Sequence, residues 1–417
     1  MISALVLLPL AVGASVWPMP VSMSVGDATV AVPTDLRFDV ADGSSSDDVT
    51  AAIARYADAW LFPHRVALTP GARGAAAAAA LPQVGSVRVV VDAPDAELQL
   101  YANESYELSV PAGDGGAIEI AAATQFGLYR ALETLSQLVA FDFDRNAYTV
   151  ERAPVRIADY PRFPHRQLMI DTSRHYEPVR VIEQLVDACA FAKINTVHWH
   201  IVDSQSFPFD APSHPELAAG GAYSRFERYT DADVAHVVAF ARARGVRVMM
   251  EFDVPGHAAS WCVGAPEICP SAACPEPLSP ATNATFDLLA DVLRDVTGGA
   301  AGAAGALAPE VLMHLGGDEV DTSCWTQSDE IVAWMDAEGY DASEAYLYFV
   351  RRAQQIARGM GREVVGWDEI WDNFGTSLDP TTIIANWRNI NATDVTAHGY
   401  RMLHCPDPLW YLDSLAT

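Results

Sequence analysis

The sequence predicts an α/β protein, in which a barrel of parallel strands follows a small α+β domain. From Gln167 onward, short strand-like runs alternate with helical stretches. Strands that alternate with helices form parallel sheets, and this many units favour a closed (β/α)8 TIM barrel over an open sheet. Before residue 160 the pattern differs, with several strand-like runs and one clear helix.

The bulk composition limits the class of protein and of ligand. The chain has 417 residues, enough for two or three domains, and 50% of them are hydrophobic, which suits a large core. The formal net charge is −28. Such a surface repels nucleic acid and anionic lipid, so neutral or cationic ligands are favoured.

The N-terminus predicts export. Residues 1–15 hold an apolar run that is too short to span a bilayer and fits the apolar region of a secretory signal peptide. The usual positive n-region is absent, so a buried N-terminal strand is the alternative. The 6 cysteines and the Asn-x-Ser/Thr sequons at Asn103, Asn283 and Asn391 agree with secretion. We find no other stretch in the sequence that fits a transmembrane helix.

Residues 16–160 are predicted to form the α+β domain. Runs 86–92, 96–101 and 106–110 are rich in strand-forming residues, and 124–139 carries apolar residues at a helical spacing. The Ala/Gly-rich tracts 71–80 and 298–308 are predicted loops. Prolines at 154, 161 and 164 mark the linker to the second domain, residues 161–417.

The second domain supplies the barrel. Its candidate strands are 167–173, 195–203, 246–253, 311–318, 363–369, 382–388 and 401–405. Thr230 and Asp233 predict a capping box at the start of one intervening helix. An eight-stranded barrel needs one strand more, and the chain ends first. We therefore expect an incomplete sequence that lacks the last strand and helix.

Polar or aromatic side chains end every predicted barrel strand. The segments are, in chain order, Asp171 to Tyr176, His198 to Asp203, Glu251 to His257, Asp318-Glu319, Trp367 to Glu369, Trp387-Arg388 and Trp410 to Asp413. In a parallel barrel the active site lies at the C-terminal ends of the strands. This concentration predicts one active site at that end.

Asp318 and Glu319 are the strongest candidates for catalysis. They follow the apolar run Val311 to Met313 and a glycine pair, at the end of a buried segment. Burying a charge there costs several kcal/mol unless the charge is paired or has a function. An ordinary retaining glycosidase holds two carboxylates about 5–5.5 Å apart on opposite sides of the sugar, which consecutive residues cannot easily do. One acid can instead protonate the leaving oxygen while its neighbour holds a 2-acetamido group that attacks the anomeric carbon.

With these segments, the chain resembles the β-N-acetylhexosaminidases of glycoside hydrolase family 20, of the eukaryotic lysosomal or secreted type. The resemblance runs from Val16 to Asp413. Its most specific marks are Asp171-Thr-Ser-Arg-His-Tyr176, His198-Trp-His200, Glu251-Phe-Asp-Val-Pro-Gly-His257 and His314-Leu-Gly-Gly-Asp-Glu-Val-Asp321.

The resemblance implies a reaction and a setting. The enzyme would remove terminal, non-reducing β-linked N-acetylglucosamine or N-acetylgalactosamine with retention, through an oxazolinium intermediate, with no metal or other cofactor. Its substrates would be glycans, glycolipids or chitooligosaccharides, met in the secretory pathway, a lysosome or vacuole, or outside the cell. Relatives often dimerise, so a homodimer is one expected assembly.

The resemblance also implies a role for each matching residue. Glu319 would be the general acid/base, and Asp318 would orient the acetamide N–H. The other implied residues are Tyr411 at the acetamide carbonyl, Trp367 and Trp387 as walls of the methyl pocket, Arg174 and Asp413 at sugar hydroxyls, and Asp203 and His257 beside Glu319. A Cys274–Cys324 disulfide is implied in the same way. The spacing leaves a Cys262–Cys269 bridge open, and we expect Cys189 and Cys405 to form no bridge.

Other interpretations of the same residues stay open. Arg174 would serve equally as a buried ion-pair partner, and Trp367 and Trp387 as core aromatics. His198 and His200 share one face of a strand, as metal ligands would, although we interpret them as structural hydrogen-bonding residues. The first alternative function is therefore a metal-dependent hydrolase, which a chelator would inactivate.

The second alternative follows from the expected missing strand. In the family that strand carries a Trp-x-Glu element, which supplies the third wall of the acetamide pocket and a carboxylate for the far hydroxyls. We therefore expect residues 1–417 alone to bind substrate weakly, as a carbohydrate-binding protein with little or no turnover. Strong hydrolysis of an aryl N-acetylglucosaminide by residues 1–417 alone would contradict this expectation.

Overall fold

A computed structural model describes residues 16–64, 78, 80–299, 306–388 and 390–412. The predicted signal peptide, most of the first Ala/Gly tract, part of the second and Asp413 lie outside these residues. The chain divides into two compact units. The first holds residues up to 164 with 190–194 and 243–245, and the second holds 165–189, 195–242 and the residues from 246 onward. The predicted boundary between residues 160 and 161 stays a prediction.

The first unit is built on a mixed sheet. Its strands are β1 (Ser22–Val32), β2 (Arg37–Val40), β3 (Ser86–Ala93), β4 (Tyr106–Val110), β5 (Ala117–Thr124), β6 (Val139–Asp142) and β7 (Ala147–Asp159). The strand order is β1-β7-β4-β5-β3-β2, and β6 pairs with β7. Pairs β2–β3 and β3–β5 are parallel, whereas the other pairs are antiparallel.

Two helices accompany this sheet, α1 (Asp47–Arg55), which continues as a π-helical turn at Tyr56–Trp60, and α2 (Gln125–Leu138). Helix α2 begins where Thr124 accepts a hydrogen bond from the Phe126 N–H at 3.1 Å. Its apolar residues are buried, and a Cβ at Gly127 would overlap the carbonyl oxygen of Ser105. The helix therefore packs as a core element, as its spacing predicted.

One predicted strand of this unit is wrong. Residues 96–98 are irregular and residues 99–101 form a bend and a turn, so this segment is not a strand. The side chain of Gln125 takes both backbone groups of Ala96, donating to its carbonyl at 2.7 Å and accepting from its N–H at 3.0 Å. Because the backbone is bonded to a side chain, it does not join a strand ladder, while Leu98 still packs against the core.

The second unit carries a parallel sheet whose strand order follows the chain from β8 to β14. Its strands are β8 (Gln167–Asp171), β9 (Thr196–Val202), β10 (Arg247–Phe252), β11 (Leu312–His314), β12 (Glu363–Trp367), β13 (Ile383–Asn386) and β14 (Arg401–His404). All these pairs are parallel. Every residue of β9, β10 and β13 is buried, as expected for strands covered on both faces. The predicted α/β barrel class is confirmed.

Helices alternate with these strands. They are α3 (Val179–Phe191), α4 (Pro215–Gly221), α5 (Asp231–Arg242), α6 (Trp261–Gly264), α7 (Asn283–Thr297), α8 (Ser323–Gln327), α9 (Asp329–Glu338), α10 (Ala342–Gly359), α11 (Glu369–Phe374), α12 (Ala392–Ala397) and α13 (Asp407–Trp410), with 3₁₀ turns at Pro266–Ile268 and Gly375–Ser377. The predicted capping box opens α5: the Asp233 N–H donates to Thr230 Oγ1 at 3.2 Å, and the Thr230 N–H donates to Asp233 Oδ2 at 3.0 Å. Across the described part of the chain, no helix combines the length and the apolar character needed to cross a membrane.

Helix α10 offers a stability test of the fold. Asp341 Oδ1 accepts from the Glu344 N–H at 2.8 Å, and Glu344 Oε2 accepts from the Asp341 N–H at 2.9 Å. We expect Asp341→Ala to lower the free energy of unfolding by about 1 kcal/mol, since the helix loses this cap. Denaturant unfolding measures it. Asp336→Ala, at an exposed site on α9, is the control, and an equal loss there would contradict the capping role.

Candidate active site

Glu251 lies at the centre of the side chains that the C-terminal strand ends bring together. It is fully enclosed near the end of β10. His198 Nε2 and His200 Nδ1 donate to its Oε2 at 2.8 and 2.6 Å, and Trp367 Nε1 donates to its Oε1 at 2.9 Å. Burial by itself would raise the pKa of Glu251, but the surrounding histidines hold this pKa well below its ordinary value. Glu251 is therefore a buried carboxylate anion.

The two histidines on β9 carry different charges. His200 donates from both ring nitrogens, because Nδ1 contacts Glu251 and Nε2 contacts Asp203 Oδ2 at 2.7 Å. Although burial lowers its pKa, the two carboxylates outweigh burial and raise the pKa of His200 to about 10. For His198, burial dominates and lowers the pKa to about 4. His200 is thus a buried cation, and His198 is a neutral donor.

Asp203 connects this buried cluster to the acidic loop, the segment after β11 that carries Asp318 and Glu319. Its carboxylate contacts Arg174 Nη2 at 2.8 Å and His257 Nδ1 at 3.2 Å. On the other side of its ring, His257 Nε2 lies 3.5 Å from Asp318 Oδ2 and 3.4 Å from Glu319 Oε2. Burial would lower the pKa of His257, but Asp203 and Asp318 raise it to about 9. A positive imidazole therefore stands between Asp203 and the acid pair.

Arg174 is held by a turn at the end of β8. Asp171 Oδ1 accepts from the backbone N–H groups of Ser173 and Arg174, both at 3.0 Å, so the chain folds back after the strand. The Arg174 side chain remains 36% exposed, with its Nε donating to Gln205 at 2.9 Å. It is thus both an ion-pair partner of Asp203 and accessible to a ligand.

The acidic loop after β11 has an unusual backbone. Gly316 and Gly317 have φ of 62° and 91°, and Glu319 has a φ of 48°. A non-glycine residue in this region costs about 1–3 kcal/mol, and such residues cluster at functional sites. The turn gives the adjacent acids different surroundings: the Asp318 side chain is 14% exposed and that of Glu319 is 59% exposed.

Two tryptophans at the next strand ends are each anchored by the carboxyl group of a glutamate. Trp367 donates to Glu251, and Trp387 Nε1 donates to Glu369 Oε2 at 2.9 Å. Trp387 and Tyr411 stack with ring centroids 6.4 Å apart. Burial and the nearby charge of Asp318 raise the pKa of Glu369 to about 8, despite the Trp387 hydrogen bond. Burial likewise raises the pKa of the Tyr411 hydroxyl.

Two disulfides tie the loops around the site. Cys274 pairs with Cys324, as the resemblance implied, and joins the segment after β10 to helix α8 beyond the acidic loop. Cys262 pairs with Cys269 inside the β10 segment, which the spacing had left open. Cys189 and Cys405 form no disulfide.

The structure brings most of the predicted site residues to one end of the sheet. Arg174, Asp203, His257, Asp318 and Glu319 form one contact network. Trp367 joins it through Glu251, while Trp387 and Tyr411 form a neighbouring group with Glu369. Asp413 lies outside the described residues.

Sequence reasoning assigned no role to Glu251 or Glu369. The signal for Glu251 was present, because this charge directly follows the apolar run Val248 to Met250, much as Asp318 comes after a buried run. His198, Glu251 and His314 also offer ligand atoms within 4.8 Å of one another, so the metal-dependent alternative stays a hypothesis to be tested.

At the C-terminal strand ends of a parallel barrel, where barrel enzymes bind their substrates, these residues suit the cleavage of a glycosidic bond. The chain belongs to glycosyl hydrolase family 20. The catalytic-domain model of that family matches residues 163–417, and a model described as beta-acetyl hexosaminidase like matches residues 16–138. The predicted family and enzyme class, a glycoside hydrolase of the β-N-acetylhexosaminidase type, are confirmed.

Curated relatives agree with this membership. Beta-hexosaminidase 1 of Arabidopsis thaliana is 41% identical over 408 residues, which cover 96% of this chain and 73% of the relative. Beta-hexosaminidase 3 of the same plant is 37% identical and covers 96% of this chain and 74% of the relative.

Solved structures share the fold. A chitobiase of Flavobacterium johnsoniae has a TM-score of 0.75 at 24% identity, covering 93% of this chain and 58% of its own. An exo beta-N-acetylglucosaminidase of Vibrio harveyi, solved with N-acetylglucosamine, has a TM-score of 0.75 at 24% identity, covering 94% and 60%. The chain thus spans less than two thirds of either solved chain.

The charge on His257 can be tested directly. We expect Asp203→Asn to lower the pKa of His257 from about 9 toward its ordinary value, because the variant loses a negative partner. A raised pKa stabilises the fold below the unfolded value of about 6.5 and loses that contribution as pH rises through about 9. NMR titration of the ring measures the shift. Asp210→Asn, at the partly exposed Arg228 pair, is the matched control, and a pKa equal in both variants would contradict the contact.

Proposed function

We propose that the protein is an exo-acting β-N-acetylhexosaminidase that hydrolyses terminal non-reducing N-acetylhexosamine by a retaining, substrate-assisted mechanism. The observation that carries this proposal is the contrast between two consecutive acids. Asp318 is enclosed between Asp253 and His257, while Glu319 is mostly exposed. Adjacent acids with different surroundings suit two different tasks on one side of the sugar rather than a pair that flanks it.

In the proposed reaction, Glu319 gives its proton to the leaving oxygen as general acid. The acetamide carbonyl oxygen of the substrate attacks the anomeric carbon, the glycosidic bond breaks, and an oxazolinium ion forms. Asp318 accepts the acetamide N–H and balances the developing positive charge. Glu319 then takes a proton from water as that water opens the ring, which restores the acid. Asp203 and His257 are proposed to keep a constant charge next to Glu319 while Glu319 loses and regains its proton.

The tryptophans would set the specificity. Trp367 and Trp387 are proposed to wall an apolar pocket for the acetamide methyl group, with Tyr411 donating to the acetamide carbonyl. Because both indole N–H groups are bonded to glutamate carboxyl groups, the ring faces stay available for contact. Arg174 and Asp413 are proposed to bind sugar hydroxyls. The Vibrio harveyi relative solved with N-acetylglucosamine supports this choice of sugar.

The setting is also part of the proposal. We infer passage through the secretory pathway to a lysosome, vacuole or the exterior, supported by the two disulfides. Asn103, Asn283 and Asn391 are exposed and are the proposed glycosylation sites, with residues 1–15 as signal peptide. Substrates would be glycans, glycolipids or chitooligosaccharides, and a homodimer is the proposed assembly.

The two acids can be separated by leaving-group dependence. In the full-length gene product, we expect Glu319→Gln to lower kcat about 100-fold or more on substrates with poor leaving groups. The loss should be much smaller on a dinitrophenyl glycoside, because its leaving group needs no protonation. Asp318→Asn should lower kcat to a similar extent on both. Steady-state kinetics measure this, with Glu330→Gln on α9 as an exposed control. Near-normal turnover in both variants would end the proposal.

A second measurement separates the competing functions. A thiazoline analogue of the oxazolinium ion should inhibit the wild type strongly, and a chelator should leave hydrolysis unchanged. Loss of activity on chelation, restored by a divalent metal, would instead support the metal-dependent hydrolase. Ligand binding without turnover would support the carbohydrate-binding alternative.

A further inference from the structure

Asp253 and Asp318 make a contact that the proposed reaction does not use. Asp253 follows β10 directly, is 1% exposed, and accepts the Gly317 N–H through Oδ1 at 2.8 Å. Its carboxyl group is also hydrogen-bonded to the carboxyl group of Asp318. Asp253 Oδ2 and Asp318 Oδ1 are buried, and neither finds a donor among the other described residues.

Two ionised carboxylates cannot form this contact, because each can only accept hydrogen bonds. Two buried carboxyl groups in contact share a proton, since both cannot ionise. The pair therefore contains one O–H donor, and the buried oxygens without another donor mark where that proton lies.

The surroundings assign the proton to Asp253. Asp318 Oδ2 lies 3.5 Å from the positive ring of His257, which favours an anion there. Asp253 accepts a hydrogen bond from the neutral Gly317 N–H and has Arg174 as a longer-range positive neighbour, while the anion Glu251 lies two residues earlier, on β10. Burial first, and then the charges of Asp318 and Glu251, raise the pKa of Asp253 well above its ordinary value. Arg174, Glu319, Tyr346 and Glu369 are the other titratable groups around the pair.

We propose that Asp253 is a positioning residue for Asp318: it keeps its proton, donates it in a hydrogen bond to Asp318 Oδ1, and so leaves Asp318 Oδ2 to accept the substrate's acetamide N–H. This inference rests on the proposed function for its consequence in catalysis. The proton sharing itself rests only on the contact between the two acids.

The loop is shaped around this contact. A Cβ at Gly316 would overlap the Asp253 carboxyl group, so glycine is needed there for steric reasons as well as for its φ of 62°. The Tyr346 hydroxyl donates to the carbonyl oxygen of Gly317. Asp253 and Tyr346 thus hold both backbone groups of Gly317, the residue that precedes Asp318.

Substitutions at Asp253 separate a proton donor from a packing group. In Asp253→Asn the amide N–H replaces the O–H donor, and the amide oxygen can still accept from Gly317. We expect kcat within about threefold of wild type, because the hydrogen bond survives. Asp253→Ala removes the donor to a charged acceptor, and we expect kcat to fall about tenfold to a hundredfold. Asp336→Asn on α9 is the exposed control.

Ligand binding distinguishes a positioning role of Asp253 from a purely structural role. Asp253→Ala should weaken the thiazoline analogue by the same factor as kcat, since its ring nitrogen takes the place of the acetamide nitrogen. An iminosugar without an N-acetyl group should bind equally to wild type and variant. Equal weakening of both ligands, wild-type kinetics in Asp253→Ala, or an Asp253→Asn variant as impaired as Asp253→Ala would overturn the proposal.

The proton can also be observed without turnover. Glu369, with its pKa of about 8, also keeps its proton at neutral pH, so wild-type and variant infrared spectra are compared by difference. Asp253→Asn should lose one protonated-carboxyl band, distinct from the band lost in Glu369→Gln, whether or not Asp253→Ala folds. Retention of that band in Asp253→Asn would refute the assignment of the proton. If the wild type is inactive while Asp253→Asn still loses the band, the proposed function is rejected and the proton assignment stands.

Discussion

The negative charge of Glu251 is the constraint on which the rest of the site depends. An ionised carboxylate inside a barrel is stable only where donors and positive charge surround it. Here the donors come from two other strands, His198 and His200 on the adjacent β9 and Trp367 on β12, which lies beyond β11. The cost of burying one charge therefore fixes the register of side chains on three strands at once. The same histidine, His200, passes the charge pattern on to Asp203.

Alternating charge extends from this buried centre to the open end of the site. Glu251 is negative, His200 positive, Asp203 negative and His257 positive, and His257 faces the two acids. Each group is stabilised by its neighbours, so the pattern changes as a unit when one member is neutralised. Glu319, the exposed acid at the end of this series, therefore lies in an electrostatic field to which buried residues such as Glu251 and His200 contribute.

Sequence predicted the parts of this arrangement that are local. The barrel strands follow from alternating patterns, and Asp318 and Glu319 stood out because charge followed a buried run. Glu251 also follows a buried run, but its role and that of Glu369 come from partners distant in the sequence, Trp367 on β12 and Trp387 just after β13. Residues 96–101 were misread because strand-forming composition gives no warning that a distant side chain, Gln125, takes the backbone of Ala96.

The Cys274–Cys324 bridge has a consequence for the stability of the loop that carries Glu319. It closes a loop with a sequence separation of 50, and a cross-link over such a loop removes about 4 kcal/mol of chain entropy from the unfolded state in a simple polymer treatment. One of the bridged cysteines lies five residues beyond Glu319. The position of the loop that carries Glu319 is thereby coupled to the oxidation state of the two cysteines. Reduction of this bridge would enlarge the unfolded ensemble and lower the stability of the fold around that loop.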